Sequence, residues 1–220
     1  MLFSCSVIFN YWCPMVRKTK AEAYKTRRKL MEAAIYEFSN KGVAATTLYD
    51  ISQAAGVTRG AVYWHFENKS KLFNDIWIEQ RSLIHTLEKA LGDVGAEEFF
   101  AVLRNSLVAQ LQGIAQDPMQ RALMEILFHK CEYGEKILSE QEILQHIGFD
   151  PDILKRILIK FIEKNKNYKW INIENTVMIF HGCVIGIVKN WLLFPESYNL
   201  YQQAPAVVDS ILKILMVEDK

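Results

Sequence analysis

Three features of the sequence predict an all-α fold. Apolar residues recur at intervals of three and four, period-two alternation is rare, and turn signals fall at spacings that suit helices of about 8 to 20 residues. Half of the 220 residues are hydrophobic, and ten Gly with five Pro leave few breaks, which marks a packed protein rather than a disordered one. A chain of this length holds one large or two small domains.

The elements follow in order. Residues 1–14, MLFSCSVIFNYWCP, carry no charged side chain. They are shorter than the roughly 20 residues that span a bilayer, and they lack the basic leader and small-residue cleavage site of a secretory signal. They are expected to be disordered or a start-site artefact, with a membrane tether as the alternative. Residues 15–23 read as a basic arm. The run RKTKAEAYKTRRK, from Arg17 to Lys29, holds seven basic residues and one acid. Such arms bind phosphate without reading sequence. Arg17, Lys18 and Lys20 suit the arm, whereas Lys25 and Lys29 suit a solvated helix face.

A first helix is expected over Lys25–Asn40, with Leu30, Ala34, Ile35 and Phe38 on one stripe and Gly42 as its left-handed cap. Thr47, with Asp50 three residues on, starts a second, short helix through a capping box that uses Asp in place of Glu. Gly56 stops that helix, and Thr58 caps a third. After a break at Asn68–Ser70, a long helix is expected to about Leu91. Further helices are expected at about 96–115, 118–133, 137–147, 151–165, 173–194 and 200–217. Pro118, Pro151, Pro195 and Pro205 are expected at or near their junctions, where proline is tolerated.

Two short helices joined by a glycine-containing turn form a helix-turn-helix, whose second helix fits the major groove of DNA. Val62 and Phe66 can hold that helix against Leu48, Ile51 and Ala55, while Arg59 with Tyr63 and Gly60 with Trp64 face elsewhere. The ring run Tyr63, Trp64, His65, Phe66 therefore divides. Phe66 goes to the core, Tyr63 toward DNA, and Trp64 and His65 toward the phosphates. Arg59 can make a bidentate contact with guanine. Gly60 permits close backbone approach, and Lys69 stands where a phosphate clamp would be. Between Met15 and Leu91 there are 13 Lys and Arg against 8 Asp and Glu, and from Gly92 onward 13 against 17. That asymmetry fits a front half that meets a polyanion, and equally an ordinary surface variation.

The stretch ATTLYDISQAAGVTRGAVYWHFENKSKLF resembles the DNA-binding domain of the TetR family of transcriptional repressors, over about Tyr24 to Ile84. RALMEILFHKCEY (121–133) and KNWLLFPESYNL (189–200) resemble the AcrR-like subgroup, regulators of multidrug efflux pumps. The resemblance implies a three-helix DNA-binding head at 24–84 with its helix-turn-helix at 47–66, and a six-helix ligand-binding and dimerisation body at 85–220. It implies DNA contacts at Thr47, Thr58, Arg59, Gly60, Ala61, Tyr63, Trp64, His65 and Lys69. It also implies a homodimer, a double-stranded DNA operator and an apolar or amphipathic small-molecule inducer.

In the body, Phe99, Phe100, Phe128, Phe149, Tyr168, Phe180 and Trp191 exceed what a plain bundle needs and suggest an apolar cavity, with Gln110, Glu125 and His129 as its polar groups. Any single one of these rings is better read as a core residue, and only as a set do they suggest a cavity. Gly182 and Gly186, four apart, permit close helix approach, either at a dimer seam with the last helix or to relieve crowding inside one subunit. Cys5, Cys13, Cys131 and Cys183 form no paired motif, which suits a reducing cytoplasm. His129 with Cys131 and His181 with Cys183 are two apart, about 200° around a helix, so neither pair chelates alone and no metal is expected. No nucleophile elbow or phosphate-cradling glycine loop points to an enzyme or a cofactor. The expected function is a repressor released from DNA by a small ligand and controlling an efflux operon. The alternatives are a DNA-binding regulator without a sensor, or a helical enzyme or interaction module with a vestigial head.

Overall fold

A computed structural model describes residues 19–80, 95–134, 136–147 and 150–215. The leader, Arg17, Lys18, Phe149 and the expected continuation of the fourth helix past Gln80 lie outside the described residues. Those residues form ten α-helices and no strand, so the all-α expectation is borne out.

Helix α1 spans Lys20–Lys41 and starts earlier than the sequence suggested. Thr19 and Glu22 form a capping box, in which Thr19 Oγ1 accepts the Glu22 N–H and the Glu22 carboxylate accepts the Thr19 N–H at 2.8 Å. Lys20 is therefore helical, a correction to its place in an extended arm. Leu30, Ala34, Ile35 and Phe38 are buried as the stripe requires. Gly42 takes φ 86° and donates its N–H to Phe38 O, which closes the helix.

Three shorter helices follow, α2 (Leu48–Ala54), α3 (Arg59–His65) and α4 (Lys69–Glu79), of which α2 and α4 pack on α1 and α3 packs on α2. Phe73 meets Phe38 and Trp77 edge-on, each at 6.0 Å, in a core with Ile51, Val62 and Phe66. Arg27 lies 5.2 Å above the Phe66 ring and pairs with Asp75 and Glu79, which ties α1 to α4. The sequence reading left Arg27 in the basic run. Its signal was the pair of acids four apart on α4.

The body follows as α5 (Ala96–Gln116), α6 (Pro118–Glu125), α7 (Glu140–Ile147), α8 (Pro151–Lys164), α9 (Ile173–Leu193) and α10 (Leu200–Leu215). Helix α5 packs chiefly along α10, where Arg104 grips Asp209 with two nitrogens. Helix α6 and the turn after it rest on α1, and α4 touches α7.

Two expectations about the body need correction. The single helix expected over 118–133 instead passes at Ile126–Lys130 into one π-helical turn and then extends. The carbonyls at that end have partners outside the helix: Leu127 O accepts the Tyr133 hydroxyl at 2.6 Å, and Lys130 O accepts the Val43 N–H at 2.9 Å. Pro205 was expected at a junction but sits inside α10. Its missing N–H would have gone to Tyr201 O, and Gln112 Nε2 on α5 donates to that carbonyl instead, at 3.2 Å.

Candidate DNA-reading surface and body cavity

The short pair α2–α3 is built from local signals. Thr47 Oγ1 accepts the Asp50 N–H, and the Asp50 carboxylate accepts the Thr47 N–H at 2.8 Å. Gly56 takes φ 63° in the turn, and Thr58 Oγ1 accepts the Ala61 N–H at 3.2 Å. Helix α3 is pinned by Val62 and Phe66, both buried, against Ile51 and the partly buried Leu48 and Ala55. That anchoring fixes what the opposite face shows. Arg59, Gly60, Tyr63 and Trp64 are exposed, Trp64 at 71%.

Arg59 donates from Nη2 to the Tyr63 hydroxyl at 3.3 Å, with its guanidinium carbon 5.6 Å from the ring centre. The bond to Tyr63 raises the Arg59 pKa, and a guanidinium has five N–H donors to share. Trp64 meets His65 edge-on at 4.5 Å. Gly60 has an ordinary φ, and the nearest atom to a Cβ built there is Thr58 Oγ1 at 4.0 Å. Nothing among the described residues calls for glycine at that position.

Lys69 departs from the expected open clamp. Its ammonium donates to Val43 O, Ala44 O and Thr46 O at 2.6, 3.0 and 2.8 Å, and burial lowers its pKa. All three of its N–H donors thus brace the turn between α1 and α2.

An apolar cavity of about 60 Å³ lies between α5, α8 and α9. Of the ten residues expected around a ligand, Phe149 lies outside the described residues, and Gln110 and Phe180 line it. The others are placed elsewhere. Phe99 is fully buried and stacks on Phe161 at 4.2 Å, with Phe100 and Tyr168 packed around the same ring. Glu125 pairs with Arg121, Phe128 lies under the Lys189 ammonium, and His129 is exposed. Trp191 is covered by Arg121 at 4.9 Å and borders a separate, polar cleft with Tyr198 and Tyr201. The apparent surplus of rings is therefore mostly core. The sequence reading missed His181, which lines the cavity and whose Nε2 is buried without a hydrogen-bond partner.

Gly182 and Gly186 lie on an exposed face of α9, and nothing stands within 4 Å of a Cβ built at either. Relief of crowding inside one subunit is thereby removed as their explanation. Met178 and Leu193 on the same helix, and Phe194 at its C-terminal cap, are exposed at 57–67%. An open groove between α9 and α10 is lined by Cys183, Ile187, Ala206 and Val207 among others. Helix α9 is also long and apolar enough by composition to cross a membrane, as core helices of soluble proteins often are.

A helix-turn-helix head with a basic, aromatic reading face, joined to a helical body with an apolar cavity, defines a ligand-responsive class of transcriptional regulator. The chain belongs to the TetR family of bacterial regulatory proteins, whose family model matches residues 30–76, while the C-terminal region of MAATS-type transcriptional repressors matches residues 98–217. It is similar to the probable acrEF/envCD operon repressor of Escherichia coli K12, at 43% identity over 93% of both chains. The AcrR-like resemblance is borne out by that relative and by AcrR of Shigella flexneri. Among solved structures, NalD, the secondary repressor of the MexAB-OprM multidrug efflux pump in Pseudomonas aeruginosa, superposes with TM-score 0.73 at 26% identity, covering 91% of this chain and all of that one. A SmeT–triclosan complex superposes with TM-score 0.66 at 25% identity, covering 89% and 96%. The relatives are regulators, not enzymes.

Proposed function

We propose that this repressor acts in the cytoplasm as a homodimer, with a DNA-binding head at residues 24–84 and a sensing and dimerising body at 85–220. Two copies of α3 enter successive major grooves of a near-palindromic operator, with centres about 34–36 Å apart. Arg59 and Tyr63 face the bases, and Thr47, Thr58, Gly60, Ala61, Trp64 and His65 lie along the contact edge. Lys69 contributes by holding the turn ahead of α2, and its charge adds to the field at the phosphates. The observation that carries the reading is the exposed Arg59–Tyr63 pair on a helix whose other face is locked by Val62 and Phe66.

The second copy seats on the α9–α10 face, where glycines and exposed apolar side chains await a self-complementary surface. A small apolar or amphipathic molecule entering the cavity favours a form with a different head spacing, and DNA is released to the extent that the molecule discriminates between the two forms. The cavity is far smaller than the several hundred Å³ of a drug-sized site, so entry requires the walls to move. The efflux pumps named for the relatives make an efflux operon the favoured target.

Selection of bound sequences from a random DNA pool tests the reading. A two-fold symmetric site with half-sites about one helical turn apart, or a multiple of it, is the expected result. Enrichment of no sequence would remove the operator-binding function.

A further inference from the structure

Helix α4 gives most of its side chains to the head, and Asn74 departs from that pattern. Phe73 and Trp77 belong to the core, and Asp75 pairs with Arg27 of α1. Asn74 instead reaches the connector that leads into α7. Its Oδ1 accepts the Leu138 N–H at 2.9 Å, and its Nδ2 donates to Lys136 O at 3.4 Å. The side-chain amide thus meets main chain as another peptide group would. Asparagine suits the middle of a helix poorly, because its amide competes for nearby backbone groups. Here the amide is half-buried and engaged across the seam, which gives the residue a reason to stand there.

What Asn74 holds is itself fastened to the body. Ile137 and Leu138 pack against the core. Ser139 forms a capping box with Glu142, in which Ser139 Oγ accepts the Glu142 N–H and the Glu142 carboxylate accepts the Ser139 N–H. Glu140, the first residue of α7, pairs with Lys189 of α9 at 3.2 Å. The path from Asn74 to α9, the helix of the proposed seam, is therefore three consecutive residues, Leu138, Ser139 and Glu140, with a side-chain bond at each end. Another tie between head and body, from Val43 N–H to Lys130 O, lies in the turn after α1. Attachment at two separate elements opposes rotation of the head about either one.

Rotation matters because a two-fold dimer reads two half-sites at once. One base pair moves a half-site by about 3.4 Å along the DNA axis and about 35° around it. The spacing that is read depends on how each head hangs from the seam. We propose that Asn74 is a positioning residue for operator recognition, and that its clasp on residues 136 and 138 sets the half-site spacing this repressor accepts. The proposal rests on the operator-binding reading above and adds what fixes its geometry. Asn74 acts through the pose of α3, not by contact with a base.

The test uses full-length protein and the two-fold site recovered by selection, together with versions that carry one base pair more or one fewer at the centre. Affinities are read by fluorescence anisotropy. Wild-type protein is expected to bind both altered sites at least about tenfold more weakly than the recovered one. Asn74→Ala should keep its helical circular dichroism and shrink that penalty to about threefold or less. Asn74→Asp keeps the acceptor for the shorter bond and should fall between the two. A residue that only stabilised the fold would lower the melting temperature and weaken all three sites by one factor. An Asn74→Ala penalty equal to wild type therefore overturns the proposal, and an Asp variant no better than Ala overturns the clasp. Wild-type protein indifferent to spacing overturns it too, while the operator-binding reading stands. Recovery of no two-fold site removes both.

Discussion

Helices α3 and α9 both carry large side chains on a face that nothing among the described residues covers, and the company those side chains keep is different. On α3, exposed Tyr63 and Trp64 stand beside Arg59, and each of the three bears an N–H or O–H donor. On α9 and at its cap, exposed Met178, Leu193 and Phe194 bear none, Gly182 and Gly186 thin the face further, and the Lys189 ammonium on the same helix is paired with Glu140. A donor-rich face suits a polyanion. A donor-poor face suits its own kind. The contrast teaches that the polar inventory of an exposed patch, rather than exposure itself, identifies the partner.

The comparison can be attacked first within α3 and its cap, between two rings two residues apart. Phe66→Ala is expected to cost about 3–5 kcal/mol in urea unfolding, whereas Trp64→Ala should stay within about 0.5 kcal/mol and weaken only DNA binding. Similar losses for both would show that α3 is not divided into a core side and a reading side. On α9, Met178→Asp puts a carboxylate on the donor-poor face. It should raise the dimer dissociation constant by about 100-fold or more in sedimentation, since an unpaired charge resists burial. A dimer that persists unchanged would move the seam elsewhere. Arg59→Ala combined with Tyr63→Ala should lower operator affinity by about 10- to 100-fold at moderate salt with the fold intact. Undiminished binding would take both residues out of the reading face.

The smallest effect concerns acid. The Thr47 hydroxyl and N–H hold the Asp50 carboxyl below its ordinary value. A depressed folded pKa contributes stability that is complete above the unfolded value of about 3.9 and is lost as pH falls through the folded one. Asp50→Asn should therefore flatten the acid-side fall in melting temperature below about pH 4. A slope equal to wild type would show that the capping box carries no pH-linked stability.

What the sequence disclosed and what it withheld divide along the range of the forces involved. Helix starts at Thr47 and Thr58 and turns at Gly42 and Gly56 were legible, because a cap or a positive φ is settled by neighbours three or four residues away. The partition of Val62 and Phe66 from Arg59 and Tyr63 was legible for the same reason, through helical spacing. The π-helical turn was not, since the partner of its last carbonyl is Val43, distant in sequence, in the turn between α1 and α2. Pro205 inside α10 was hidden because its relief comes from Gln112 across the α5–α10 contact. Lys69 read as a surface charge until the fold brought three carbonyls to it. His181 was weighed for metal and set aside, and only the packing of three helices shows that it lines a cavity while its Nε2 is buried without a partner among the described residues.

The link between Val43 N and Lys130 O joins main chain to main chain. Exchange of either side chain leaves both atoms in place, and proline at 43 is the one natural substitution that deletes the donor. This one link between head and body is thus indifferent to the side chains at 43 and 130, whereas the bond from Leu138 N–H to the Asn74 amide oxygen, at 2.9 Å across the same seam, depends on Asn74.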